Sequence, residues 1–188
     1  MKTTMLDRQK NLTKQLNSGF TLIELLVVIA IIAILTGLVG SNYLTSRIRA
    51  RDAKRKSDLR QIQTALEMYH NDQGQYPLSE PGPGGNSRIA GYPWGSPFVD
   101  DETATGDPTV YMPILPGDRA APGAQYFYEA NTAGTKYRLC AVLENEEDLD
   151  IQQPEGYSGK NCGETASANL CNYCVSSSNT TIDETWTD

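Results

Sequence analysis

Residues 18–40 read SGFTLIELLVVIAIIAILTGLVG, an apolar run that holds a single carboxylate, Glu24. Positions 20–40 are 21 residues, or about 31 Å of helix at about 1.5 Å per residue, which matches a hydrocarbon core of roughly 30 Å. The run is long enough to span a bilayer. A carboxylate at the centre of such a helix costs at least about 2.5 kcal/mol on insertion scales; Glu24 stands near one end, where the cost is smaller but real. A charge in that position calls for a partner. The nearest in sequence is the amine that cleavage just before Phe20 would create.

The preceding segment, MKTTMLDRQKNLTKQLNSG, carries Lys2, Arg8, Lys10 and Lys14 against Asp7 and has no apolar run. An ordinary secretory signal puts its apolar region before the cleavage site. Here the order is reversed, so cleavage after Gly19 leaves the apolar helix on the mature chain.

With that leader, the stretch GFTLIELLVVIAIIAIL resembles the class III signal of type IV pilins and of the pseudopilins of type II secretion. The resemblance implies a prepilin peptidase that cuts between Gly19 and Phe20, N-methylation of Phe20, and an assembly salt bridge from Glu24 to a Phe20 amine. It also implies the partners: further copies of the chain in a helical homopolymer, the peptidase, an assembly platform with its ATPase, and the inner or cytoplasmic membrane before assembly. The precursor would be a single-pass membrane protein with a cytoplasmic leader, and the product a cell-surface or extracellular filament. Inside an apolar filament core a carboxylate compensated by an ammonium favours one axial register over others.

Removing the leader leaves 16 − 4 = 12 cations and 23 − 1 = 22 anions, a mature charge of −10. That balance speaks against general nucleic-acid binding. Leu59, Ile62, Leu66 and Tyr69 recur at spacings of three and four, and no proline interrupts 20–76, so one helix is expected over 20–72, about 80 Å long. Gly37 and Gly40 weaken it by about 1 kcal/mol each, and Ser41 stands where many pilins carry proline. The expected divisions are a cleaved leader at 1–19, the helix at 20–72 and one head at 73–188. The head is of a size for a single core.

The stretch 47–60, RIRARDAKRKSDLR, holds seven of the twelve mature cations. Its candidate partners are acidic surfaces of this chain or its neighbours, anionic headgroups and DNA. The charge of −10 favours the first and disfavours DNA. A positive-inside count of seven against four would put the head in the cytoplasm; the resemblance implies the opposite, because the peptidase acts on a cytoplasmic leader.

Gly74 is placed to cap the helix, and Pro77 follows it. Residues 77–108 are rich in proline and glycine and read as a long loop with little regular structure, in which Tyr92, Trp94 and Phe98 are expected to cover the core. The lone His70 reads as a surface residue. Strand patterns follow at 109–114, 125–130 and 136–143, the last two joined through a turn at 131–135. In this order they resemble the small antiparallel sheet of major pilins and pseudopilins. The fold class is therefore α+β, a long helix packed on that sheet.

Cys140, Cys162, Cys171 and Cys174 allow three disulfide pairings. An exported head favours disulfides over zinc, and if Leu-Cys-Ala and Tyr-Cys-Val are neighbouring strands, Cys140 pairs with Cys174 and Cys162 with Cys171. The acidic run Glu144, Glu146, Glu147, Asp148 and Asp150 is a weak calcium candidate, since a loop near here binds calcium in some pseudopilins. It lacks the glycine and spacing of an EF-hand and reads as a solvated loop. No arrangement for catalysis or for a cofactor is present. The chain reads as a prepilin, a structural subunit and major pilin of a type IV pilus, with a pseudopilin of a secretion or DNA-uptake filament as the alternative. A monomeric membrane-anchored binding protein is the more distant one.

Overall fold

The computed structural model describes residues 19–82, 87–100, 108–118, 124–153, 157, 160–163 and 170–181, the side chains of 38–42 apart. Of the expected leader, 1–19, all but Gly19 lies outside the described residues. The chain divides into two compact units, Met1–Leu44 and Thr45–Asp188.

The helix α1, Leu22–Gln73, covers 52 residues and runs through Gly37 without a break in its assignment. It stops where the sequence says it should. Gly74 takes a left-handed φ of 75° and its N–H bonds the His70 carbonyl at 2.8 Å, a geometry that glycine adopts without the Cβ penalty. His70 is not a plain surface residue: it is half-buried, with its ring 4.4 Å from that of Tyr76.

Among the described residues, seven short strands make three antiparallel sheets in the second unit: β1 (Ser79–Pro81) with β2 (Ser87–Ile89), β3 (Phe98–Asp100) with β4 (Thr109–Met112), and β5 (Phe127–Ala130), β6 (Tyr137–Ala141) and β7 (Tyr173–Ser176) in that order. The stretch 77–108, expected to be a long loop with little regular structure, holds the three short strands β1, β2 and β3. Three-residue strands are too short for alternation to register, and the flanking Pro and Gly dominate the local signal. The turn between β5 and β6 needs Gly134, whose φ is 62° and where a Cβ would lie 2.9 Å from the Tyr76 carbonyl oxygen. That close approach joins the helix exit to the hairpin, for the Tyr76 N–H donates to the Gly134 carbonyl at 2.7 Å.

The core forms where the apolar stripe of α1, Leu59, Ile62 and Leu66, meets Tyr126, Tyr128, Tyr137 and Leu139. Phe98 is buried there, and Tyr92 and Trp94 pack against it, the covering role expected of these aromatics. Three of the buried rings have their polar tips satisfied: Tyr76 and Tyr137 both donate to the Glu67 carboxylate, and Tyr128 donates to the Pro77 carbonyl at 2.6 Å. Burial first, and then the Glu67 charge, push the Tyr76 phenol up to about 12. Strand β6 alternates in sequence yet is buried at every position. Its second face lies under a smaller cluster of Phe127, Cys140, Tyr157, Cys162, Cys171 and Cys174.

Candidate functional site

The start of α1 is built from Thr21 and Glu24. Glu24 Oε2 accepts from the Thr21 N–H at 2.9 Å and from Thr21 Oγ1 at 2.7 Å, while the Glu24 N–H donates to Thr21 Oγ1 at 3.3 Å. This is a reciprocal capping box, which satisfies two of the backbone donors that every helix start leaves open. Thr-Leu-Ile-Glu ahead of an apolar run is the sequence signature of that box. Glu24 thus holds the first turn through Oε2.

Beyond the cap, the side chains are apolar all round the helix and, among the described residues of the unit, nothing covers them: Ile23, Leu26, Ile29, Ile32 and Leu35 are each exposed, Ile23 at 70%. Such a helix requires an apolar surrounding from outside its own unit. Among the described residues no helix is long and apolar enough to cross a membrane; the described side chains of this run end at Gly37, while in sequence it continues to Gly40.

The basic stretch turns inward to the carboxylates of its own unit. Arg55 is 2% exposed and pairs with Asp52, Asp118 and Glu144, each at 2.7 Å. Arg51 also binds Glu144, and Lys56 reaches Asp148 at 2.7 Å and Asp150 at 2.6 Å. Asp52 accepts the N–H groups of Glu144 and Asn145 at 3.0 and 2.8 Å, so the loop is held by backbone as well as by charge. Asp58 takes Lys54 at 2.8 Å and the Tyr126 hydroxyl at 2.9 Å. Burial opposes the charge on Arg55, yet the hydrogen bonds and charges of its carboxylates outweigh it and hold the guanidinium above its ordinary value. The Arg51 hydrogen bond, aided by Arg55 and opposed by burial, holds the Glu144 carboxyl below its ordinary range.

Of the five weak calcium candidates, Glu144, Asp148 and Asp150 pair with these cations, and Glu146 and Glu147 are exposed. Among the described residues no cluster could hold a metal ion. The disulfides are Cys140–Cys174, linking directly opposed residues of β6 and β7, and Cys162–Cys171.

Residues 14–40 match the family described as the prokaryotic N-terminal methylation motif. The type II secretion system core protein G of Aeromonas hydrophila is 42% identical over 69 residues, 37% of this chain and 48% of that protein. The core protein G of Pseudomonas aeruginosa is 35% identical over 100 residues, covering 43% of this chain and 70% of the relative. The chain belongs to the family of type IV pilins and type II secretion pseudopilins.

The Escherichia coli core protein G follows the same pattern, 41% identical over 64 residues, 34% of this chain and 44% of that protein. The chain spans about half the length of most such relatives. No solved structure matches it. Gly19, Phe20 and Glu24 all fall inside the matched methylation motif, and membership in this family of structural filament subunits agrees with the lack of any catalytic arrangement in the sequence.

Proposed function

We propose that the chain is the polymerising subunit of a secretion-type pseudopilus. In this reading Gly19 and Phe20 flank the cut made by a prepilin peptidase, Phe20 is N-methylated, the first half of the helix 20–72 serves as membrane anchor and then as filament core, and 73–188 is the head. The observation that carries it is the pairing of a matched methylation motif with an apolar helix that its own unit leaves uncovered. The relatives named as core protein G weigh toward a pseudopilus and away from the type IV major pilin. The pilus reading keeps one support, the C-terminal region stapled by two disulfides, which resembles that of many pilins.

The capping box supplies a clean test of the Glu24–Phe20 salt bridge. Glutamine at a capping-box position still accepts the Thr21 N–H, so Glu24→Gln keeps the helix start and removes only the charge. Losing a charge-assisted contact of about 1.5–3 kcal/mol per subunit should lower filament yield about ten-fold or more, and Glu24→Ala should do the same. Filament yield measured by electron microscopy of sheared material checks this; an unchanged yield from Glu24→Gln would assign Glu24 to capping alone. Short filaments whose loss stops protein secretion would support the pseudopilus, and long surface fibres with secretion intact the pilus.

A further inference from the structure

Leu149 is 99% exposed, at the tip of a loop that is otherwise tied down. Lys56 holds Asp148 and Asp150 on either side of it, while Arg51 and Arg55 hold Glu144 at the loop's start. A leucine presented by anchored neighbours forms a pre-ordered apolar knob, and Glu146 and Glu147, both exposed, flank it with negative charge. Ordering has already been met within the subunit, so a partner would gain the contact without that loss.

On the same unit lies a groove of about 760 Å³ with a basic rim of Arg47, Arg51 and Lys54 and an apolar floor of Ile114, Leu115 and Pro116. With Arg55, Asp58 and Asp118 included, the lining carries four cations against two carboxylates. Ile114 is 64% exposed there. Arg51 and Arg55 are already paired with carboxylates of their own subunit, so what the groove offers the knob is the exposed Ile114 beside the outward-reaching Lys54, whose side chain is 72% exposed, an apolar and basic face suited to a leucine flanked by carboxylates.

Their placement matters as much as their chemistry. At about 100° per residue, Lys54 on the groove side and Lys56 on the knob side stand about 200° apart around α1, with the core stripe of Leu59, Ile62 and Leu66 between them. Knob and groove occupy opposite flanks of one helix. They cannot meet within a subunit, but a row of similarly oriented subunits brings each knob to the next groove. Contacts between different surfaces of identical chains are heterologous and extend into open helical assemblies.

We propose that Leu149 and its flanking carboxylates of one subunit seat in the groove between Arg47, Arg51, Lys54 and 114–116 of a second copy, forming a lateral contact between heads. This rests on the reading of the chain as a polymerising subunit. It adds to the helix contacts a second interface that sets the spacing of neighbouring heads.

The test uses filaments of the full chain carrying Leu149→Cys together with Ile114→Cys, treated with a short bis-maleimide. The four native cysteines are paired with one another, so the new thiols are the ones that react. A ladder of dimers, trimers and higher species on a reducing gel is expected, with none from Leu149→Cys combined with Thr64→Cys, whose second site is exposed on the opposite side of α1 from the core stripe. In a separate variant, Leu149→Asp is expected to lower filament yield about ten-fold, since loss of one buried leucine is of that order in affinity. Filaments without a ladder, or equal ladders from both cysteine pairs, overturn the head contact and leave polymerisation standing. Failure of the native chain to form filaments at all overturns both.

Discussion

Arg55→Met is expected to destabilise the second unit by about 3–5 kcal/mol, the scale for removing one partner of a buried ion cluster. Methionine matches the stem of arginine in length, so the loss comes from charge and not from a cavity. Asp52 and Asp118, 1% and 3% exposed at their side chains, would be left buried with their cation gone. Asp52 retains the two loop N–H groups, whereas Asp118 loses the Arg55 pair, so adding Asp118→Leu should recover part of the loss. Urea unfolding followed by tryptophan fluorescence checks both variants. Acid acts on the same cluster. The Glu144 carboxyl is held below its ordinary range, so its contribution is complete above that range and fades as pH falls through the lowered value. The native protein should therefore lose stability on acidification below the ordinary carboxylate range, and a Glu144→Gln variant should lose less.

Cys140→Ala with Cys174→Ala should produce an effect of similar size. The disulfide spans 34 residues, for which the chain-entropy relation gives about 4 kcal/mol, against about 3 kcal/mol for the 9-residue span of Cys162–Cys171. The longer bridge also ties β6 to β7, and its sulfurs sit in the smaller apolar cluster. For a unit of this size a loss of about 4 kcal/mol lowers Tm by about 10 °C or more. Thermal melts of the two double-alanine variants should rank them in that order, and a larger drop from Cys162→Ala with Cys171→Ala would overturn it.

Long-period features were legible in the sequence because each repeats a single physical requirement over many residues. The stripe Leu59, Ile62 and Leu66 announced the buried face of α1, Gly74 its end, and the runs at 109–114, 125–130 and 136–143 the strands that became β4, β5 and β6. Strands β1 to β3 were not legible, because three residues show no alternation and Pro81 and Pro97 sit at their ends. The ion cluster escaped for a different reason. Arg55 and Glu144 are far apart in sequence, and although the charge of −10 pointed the basic stretch to acidic surfaces of this chain or its neighbours, it could not single out which carboxylates those are. The same sequence distance hid the capacity of Lys56 to occupy the acidic run that had been a calcium candidate. At the helix start the opposite held: the capping box is wholly local, and the unusual charge of Glu24 concealed its ordinary role.

The central claim is that Glu24, already bound to Thr21 within its own chain, keeps one carboxylate oxygen for the Phe20 amine of a neighbouring subunit. A cryo-electron microscopy map of filaments formed by the processed chain tests it most directly. The account predicts a first residue of N-methylated Phe20 whose amine lies within ion-pair distance, about 4 Å or less, of the Glu24 carboxylate of an adjacent subunit, in a core made of the 22–37 helices. A filament whose subunits retain the leader, or one in which Glu24 faces solvent with Phe20 packed elsewhere, would contradict it.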